Sequence, residues 1–212
     1  MLDFSILTEN IDIYLDGYKY TIVASLIALV ASFLLGTLIA VFRIAPIKLL
    51  NWVGTVYVEF FRNIPLIVIV FFFFFGLKMN GVAAGTIGLT IYTASFIAEA
   101  IRAGILAVPK GQMEAARSSG LTYGQTMRLI ILPQAIKIVI PPLGNQFINL
   151  VKNSSILGIV AGLDLMYQAD LISARTYVTF DVYIFVALFY LSLTIPLSLG
   201  VGFLERRLAK SN

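Results

Sequence analysis

The residues of this chain best placed to do chemistry are two pairs of opposite charges inside long apolar segments. Glu59 and Arg62 are three positions apart, and Glu99 and Arg102 repeat that spacing. Three positions are about one helical turn, so each carboxylate can pair with its guanidinium. Charges in apolar spans are costly and face a cavity, another subunit or each other. Because both pairs lie toward the inner ends of their segments, we expect ion pairs that pin helices.

The composition excludes most catalytic and metal chemistry. The chain has no histidine and no cysteine, which removes thiol chemistry, disulfides, imidazole acid–base catalysis and the commonest metal ligands. The carboxylates are scattered singly, so no catalytic constellation can be assembled from them. We therefore expect no metal site, no cofactor bound by this chain and no enzymatic activity of its own.

The elements that must position these charges are membrane spans. Of the 212 residues, 59% are hydrophobic and only 12% are charged, against about a quarter charged in soluble domains. A span needs about 20 apolar residues. The second candidate is interrupted by Glu59, Arg62 and Pro65, so its polar part must lie at the interface or face protein. A single all-α membrane domain, 1–212, is predicted, with spans at about 21–42, 53–77, 82–106, 135–162 and 182–204.

Basic residues set the orientation, because they accumulate on the cytoplasmic side. Eight fall on one side of the predicted spans and three on the other. The majority side is therefore cytoplasmic, which places the amino terminus outside and the carboxyl terminus inside. The eight are Arg43, Lys48, Lys110, Arg117, Arg128, Arg206, Arg207 and Lys210, and the three are Lys19, Lys78 and Arg175.

A polar segment at 109–133 separates the third and fourth spans on that inner side. We expect a short helix over 112–119 with Glu114 in its first turn, where the helix dipole favours a carboxylate. Gly120 fits the left-handed position after a helix end. Thr122 and Gln125 form a capping-box pattern that opens a second helix, and Pro133 is predicted to stop it.

The second helix of this segment has an apolar face. Met127, Ile130 and Ile131 share one side of the second helix. The segment is therefore predicted to be a helix–turn–helix that lies across the membrane surface.

With its Glu-Ala-Ala-x₃-Gly core, the segment closely resembles the EAA loop of ABC importer permeases. Residues 59–66 (EFFRNIPL), 95–105 (SFIAEAIRAGI) and 145–155 (NQFINLVKNSS) resemble the second, third and fourth spans of the polar amino acid branch of type I ABC importers. The likeness covers most of residues 18–208. One departure is Ile156, where the family usually has Leu.

The resemblance implies the fold, the partners and the role of the loop. It implies a five-span permease in a bacterial cell membrane with two ATPase subunits, which carry the ATP and Mg²⁺. It also implies an extracytoplasmic amino-acid-binding protein and a second permease, for which a homodimer is the simpler expectation. The loop would form a compact knob that seats in a cleft of the ATPase. The residues of this knob are Glu114, Ala115, Ala116, Gly120 and Pro133.

A polar amino acid crossing this domain needs donors and acceptors that replace water. The candidate substrates are arginine, lysine, histidine, glutamine and glutamate. For a substrate with a cationic side chain, Asp164 is the nearest acidic group. Asn145, Asn149 and Lys152 or Asn153 recur at helical spacing, and their face either lines the path or makes hydrogen bonds between helices. The predicted path residues are Tyr92, Ser95, Asn149, Ser154, Ser155 and Asp164.

Two other kinds of membrane protein remain as alternatives. A secondary amino acid transporter would typically show internal repeats and carboxylates at the midplane, whereas the charges here lie near the inner face. A non-transport scaffold protein would leave the 109–133 segment unexplained. The sequence therefore favours the importer permease.

Overall fold

A computed structural model describes residues 2–209, of which Ala209 is placed by its backbone only, so Lys210 of the charge count lies outside the described residues. This part of the chain is helical and holds no strand. The α-helices are α1 (Phe4–Glu9), α2 (Ile11–Ile44), α3 (Lys48–Arg62), α4 (Leu66–Phe71), α5 (Gly81–Leu106), α6 (Lys110–Ser118), α7 (Tyr123–Thr126), α8 (Leu132–Asn153), α9 (Leu165–Thr176) and α10 (Phe180–Ala209).

Three short helical segments of other types adjoin these helices. Phe72–Gly76 and Met127–Ile131 are π-helical, and Ser154–Val160 is a 3₁₀-helix. Four helical stretches within the described residues are long and apolar enough to span a membrane: Ile11–Ile44, Gly81–Leu106, Tyr123–Val160 and Phe180–Leu208. The predicted ranges 21–42, 82–106, 135–162 and 182–204 each overlap one of them.

The structure differs from the prediction at residues 53–77, where it has two helices instead of one straight span. Lys48–Arg62 and Leu66–Gly76 meet at an angle of 103°. Pro65 disfavours helical backbone at the residue before it, so α3 ends at Arg62 and α4 starts afresh after Pro65. The break places Arg62 at a corner rather than inside a straight span.

Pro133 does not end a helix, contrary to the prediction. It lies in the first turn of α8, directly after a π-helical turn, and such a local change in hydrogen bonding lets a helical stretch continue past a proline. The π-helical turn Met127–Ile131 leads directly into α8. The helix that starts in the polar segment therefore runs on into the membrane, which makes that segment a rigid extension of the fourth span.

Helix α5 lies at the centre and is packed against α2, α3, α4 and α8. Small residues let the backbones approach closely, as in other membrane bundles. A Cβ added at Gly36 would lie 2.7 Å from the Ile97 side chain, and one at Gly104 would lie 2.0 Å from Val139. α5 therefore carries its charges, Glu99 and Arg102, at a fixed position relative to the neighbouring helices.

A second core joins the ends of the helices that lie away from the polar segment. Tyr14, Leu165, Ile172 and Phe185 are buried together where α2, α9 and α10 meet. Helix α9 lies in the stretch between the fourth and fifth predicted spans, for which no helix was predicted. Its first turn is capped by Asp164, whose carboxylate accepts hydrogen bonds from the N–H groups of Met166 and Tyr167.

Candidate functional site

The turn between α6 and α7 is built as the local sequence predicts. Gly120 has φ = +88°, and its N–H donates to the carbonyl of Arg117 at 3.0 Å. The N–H of Leu121 donates to the carbonyl of Ala116 at 3.2 Å. These two bonds satisfy the last carbonyls of α6 in a Schellman motif. The capping box of Thr122 and Gln125 is also formed.

The loop is held to the C-terminal end of α5 by an apolar cluster. Val108, Ile131 and Ala135 are buried there. The predicted apolar face of the second helix packs against them, because Met127 and Ile130 join Ile105 and Met113 around this cluster. The loop is therefore fixed to the α5–α8 framework and not freely suspended.

The two alanines of the loop face in opposite directions. Ala115 is exposed, as is Glu114, whereas Ala116 is only 7% exposed. Ala116 is therefore part of the loop's own packing, and the surface open to another protein is carried by Glu114 and Ala115. Helix α6 starts at Lys110, earlier than predicted, so Glu114 lies beyond its first turn. The predicted dipole interaction of Glu114 is accordingly absent.

A charge cluster lies directly behind the loop. Arg102 binds Glu99 through two hydrogen bonds, from Nη2 to Oε1 at 2.7 Å and from Nε to Oε2 at 3.1 Å. Arg43 of α2 donates a further bond to Glu99. The Arg43 side chain is 9% exposed and that of Glu99 is 23% exposed. Glu99 thus pairs with Arg102 as expected, and its bond to Arg43 ties α2 to α5 at the ends nearest the loop 109–133.

A cleft of about 490 Å³ connects the charge cluster to the loop. Arg43 and Arg102 line one part of it, and Lys110, Glu114 and Tyr123 line another. The loop and the α2–α5 ion pairs therefore border the same cleft. This cleft could not be predicted from sequence, because its walls come from five helical segments: α2, α5, α6, α7 and the π-helical turn Met127–Ile131.

The pairing predicted for Glu59 and Arg62 is not formed. The salt bridges among the described residues do not include either side chain. The Arg62 guanidinium lies instead over the ring of Phe96, with Cζ 5.3 Å from the ring centroid. Spacing permits the pair, but the Arg62 guanidinium turns to Phe96 of α5 instead.

A polar recess of about 260 Å³ lies between α5 and α8. It brings together two of the predicted path residues, Tyr92 and Asn149. All of its lining side chains are neutral. They are Tyr92, Thr93, Phe96, Gln146, Asn149, Leu150 and Asn153.

The other predicted path residues lie outside this lining. Three serines use their hydroxyls within their own helices: Ser95 donates to the Tyr92 carbonyl at 2.6 Å, Ser154 to that of Val151 at 2.8 Å and Ser155 to that of Lys152 at 2.9 Å.

Asp164 is fully buried and caps α9, and burial raises its pKa to about 6. It is therefore not presented to a cationic substrate in this structure.

Sequence reasoning missed four residues of the recess, Thr93, Phe96, Gln146 and Leu150, and it named Asn153 only as an alternative to Lys152. Helical spacing could have identified Gln146 and Asn153 as recess residues, because they lie three positions before and four positions after Asn149 and so share its helix face. Asn145 and Lys152 fall outside the recess lining. Applying the same spacing to Tyr92 selects Phe96.

Comparison with known proteins identifies the family and the fold. Residues 32–210 match the family model described as binding-protein-dependent transport system inner membrane component. The chain is similar to the probable glutamine ABC transporter permease protein GlnM of Bacillus subtilis (strain 168), at 67% identity over 99% of this chain and 100% of that protein. It is also 35% identical to the glutamate transport system permease protein GluC of Corynebacterium glutamicum, over 92% of this chain and 93% of that one.

Two solved structures share the fold. The crystal structure of an amino acid ABC transporter with histidines matches with a TM-score of 0.91 and 36% identity, over 98% of this chain and 99% of that chain. An inward-facing structure of the MetNI methionine ABC transporter matches with a TM-score of 0.70 at 23% identity, over 93% of this chain and 95% of that chain. The fold is therefore that of a type I ABC importer permease.

Proposed function

The chain belongs to the family of binding-protein-dependent transport system inner membrane components, and from that premise we propose that its α5–α8 recess passes glutamine into the cytoplasm. The protein is a multi-pass membrane permease of an ABC importer for amino acids. The neutral lining of the recess is the observation that carries the choice of glutamine.

Side-chain amides suit glutamine because an amide both donates and accepts hydrogen bonds. Gln146, Asn149 and Asn153 supply such groups in the recess. A cationic side chain of arginine or lysine would need a carboxylate in a site from which water is largely excluded. The recess lining holds none, and Asp164 is engaged at the start of α9. The name of the GlnM relative supports the same choice.

Coupling to ATP is proposed to run through the loop 109–133. ATP and Mg²⁺ bind a separate ATPase subunit, and this chain binds neither. Glu114 and Ala115 form the exposed contact surface, while Ala116 and Gly120 hold the shape of the loop. Pro133 lies where the loop joins α8, so a push on the loop is transmitted along a continuous helix toward the recess.

The complete importer is proposed to contain two copies of this chain, two ATPases and an extracytoplasmic binding protein. One chain presents the recess as a partly open hollow rather than an enclosed passage. A second copy facing it would close the path. The amino terminus is proposed to lie outside and the loop inside, following the distribution of basic residues.

Uptake by proteoliposomes containing the chain, its ATPase and its binding protein tests this function. We expect ATP-dependent glutamine accumulation that unlabelled glutamine suppresses and unlabelled arginine does not. In Asn149→Leu, uptake should fall about tenfold, because the substrate then loses a hydrogen bond in the recess. Asn145→Leu, outside the recess lining, is the matched control.

Other outcomes separate the alternatives. Accumulation driven by an ion gradient in the absence of ATP would identify a secondary transporter. Arginine uptake that excludes glutamine would overturn the substrate. A complex with one copy of this chain, or with two different permeases, would refute the homodimer.

A further inference from the structure

Arg62 is a cation whose charge is not neutralised within the described part of the chain. Behind the loop, Arg43 and Arg102 both pair with Glu99. Arg62 takes part in none of the salt bridges among residues 2–209. An arginine in a membrane span is expensive and ordinarily has an anionic or carbonyl partner. The anionic partner of Arg62 is therefore expected to come from another molecule.

The position of Arg62 connects it to the recess. It is the last residue of α3, just before the break at Pro65, and its side chain is exposed. Its guanidinium lies over Phe96, which together with Tyr92 forms the α5 wall of the recess. A cation–π contact at 5.3 Å holds the guanidinium near the ring, and its N–H groups can still bind a carboxylate.

The recess also lacks what an amino acid requires. Every amino acid substrate carries an α-carboxylate, and a full negative charge in a low-dielectric site needs a charge-assisted partner. The lining residues are neutral and can serve only the uncharged parts of the ligand. The unpaired cation and the neutral recess therefore complement each other.

We propose that Arg62 binds the α-carboxylate of the substrate as it passes through the recess. The amides of Gln146, Asn149 and Asn153 then take the side chain. This assignment rests on the proposed function and adds a specificity-determining residue to it. It also predicts that binding to Arg62 requires a free α-carboxylate on the substrate and does not depend on the charge of the substrate's side chain.

A ligand-by-variant comparison on the solubilised permease–ATPase complex tests the assignment without the binding protein's own selectivity. The two probes are glutamine and glutamine α-amide, in which a neutral amide replaces the α-carboxylate. Isothermal titration gives both affinities for the wild type and for Arg62→Gln. Neither Arg62 nor Lys152 belongs to the recess lining, but only Arg62 makes a cation–π contact with Phe96 among the described residues, so Lys152→Gln is the matched control.

We expect the wild type to prefer glutamine over the α-amide by about tenfold or more. In Arg62→Gln this preference should fall to within about threefold, through weaker binding of glutamine. Lys152→Gln should retain the full preference. Arg62→Lys keeps the charge but loses the fork of donors, so an intermediate preference is expected, and this variant decides the matter where Arg62→Gln does not assemble.

Three results would overturn the proposal. An unchanged preference in both Arg62 variants would show that another group binds the carboxylate, while the proposed function would stand. An equal loss for both ligands, with dissociation of the permease pair, would assign Arg62 to an anion of the second copy. Failure of the wild type to bind either ligand would remove the recess itself, and the Arg62 assignment with it.

Discussion

The ends of α3 and α5 carry the same pattern, a glutamate followed three residues later by an arginine, and use it differently. On α5, Glu99 and Arg102 form a two-point ion pair that Arg43 completes. On α3, Arg62 turns to Phe96 instead of Glu59. The spacing makes a pair possible, and the surrounding helices decide whether it forms. A charge satisfied by its own chain holds the fold, while an unsatisfied one is available to a ligand.

The largest expected effect comes from breaking the satisfied pair. Glu99→Gln leaves Arg43 and Arg102 close together without their carboxylate. Because the cluster is only partly buried, we expect a loss of about 2–3 kcal/mol of stability, somewhat below the cost for a fully buried pair. Reversible unfolding of the detergent-solubilised protein measures it. Glu59→Gln is the matched control and should cost less than about 1 kcal/mol.

Equal losses in the two variants would contradict the contrast between α3 and α5. Such a result would mean that Glu59 has a partner comparable to that of Glu99. A large loss in Glu99→Gln alone would support the view that the α5 cluster pins α2 to α5.

The next effect tests whether the same distinction holds for the two alanines of the loop. Ala116 is turned toward its own chain, so Ala116→Trp should overpack the loop and cost about 2 kcal/mol. Ala115 is exposed, so Ala115→Trp should leave stability unchanged but block seating against the ATPase. Thermal unfolding, together with ATP hydrolysis stimulated by the loaded binding protein, separates the two effects.

Ala115→Ser, which barely changes the size, should keep normal stimulation. Normal stimulation in Ala115→Trp would show that this face of α6 does not contact the ATPase. A loss of stability in Ala115→Trp that matches that of Ala116→Trp would contradict the opposite orientation of the two side chains.

The features predicted well from sequence depend on residues only a few positions apart. The left-handed Gly120 and the capping box of Thr122 and Gln125 follow from local backbone geometry, so the sequence suffices. The continuation of the helix through Pro133 was missed because a proline is tolerated or disruptive according to where the helix starts. That starting point depends on the π-helical turn before α8.

The recess and the contact of Arg62 with Phe96 could not be predicted, because both depend on which helices lie side by side. Tyr92 and Asn149 were chosen for their chemistry, and the packing of α5 against α8 brings them together. Ser95, Ser154 and Ser155 were chosen on the same grounds, but each hydroxyl is satisfied by a carbonyl one turn earlier. Polarity identifies candidates, and orientation selects among them.

A smaller effect is expected from backbone strain in the loop. Gly120→Ala places a side chain at φ = +88°, which costs about 1 kcal/mol although the space around it is open. Gly111→Ala is the matched control, because its surroundings are equally open and it lies within α6 with no positive φ. It should be neutral or slightly stabilising. Equal unfolding temperatures for the two variants would argue against a strained turn at Gly120.

The smallest effect is the sharpest test of the contrast between α3 and α5. A double-mutant cycle of Glu59→Gln with Arg62→Gln should give a coupling energy below about 0.5 kcal/mol, because the two side chains do not touch. The same cycle with Glu99→Gln and Arg102→Gln should give more than about 1 kcal/mol, because the pair shares two hydrogen bonds. Both cycles are measured by reversible unfolding in the same detergent and without substrate. Bound glutamine would add its own contact to Arg62 and so alter the α3 cycle alone. A coupling above about 1 kcal/mol between Glu59 and Arg62 in the substrate-free protein would mean that the arginine already has its anion. It would then have no need of the substrate's carboxylate.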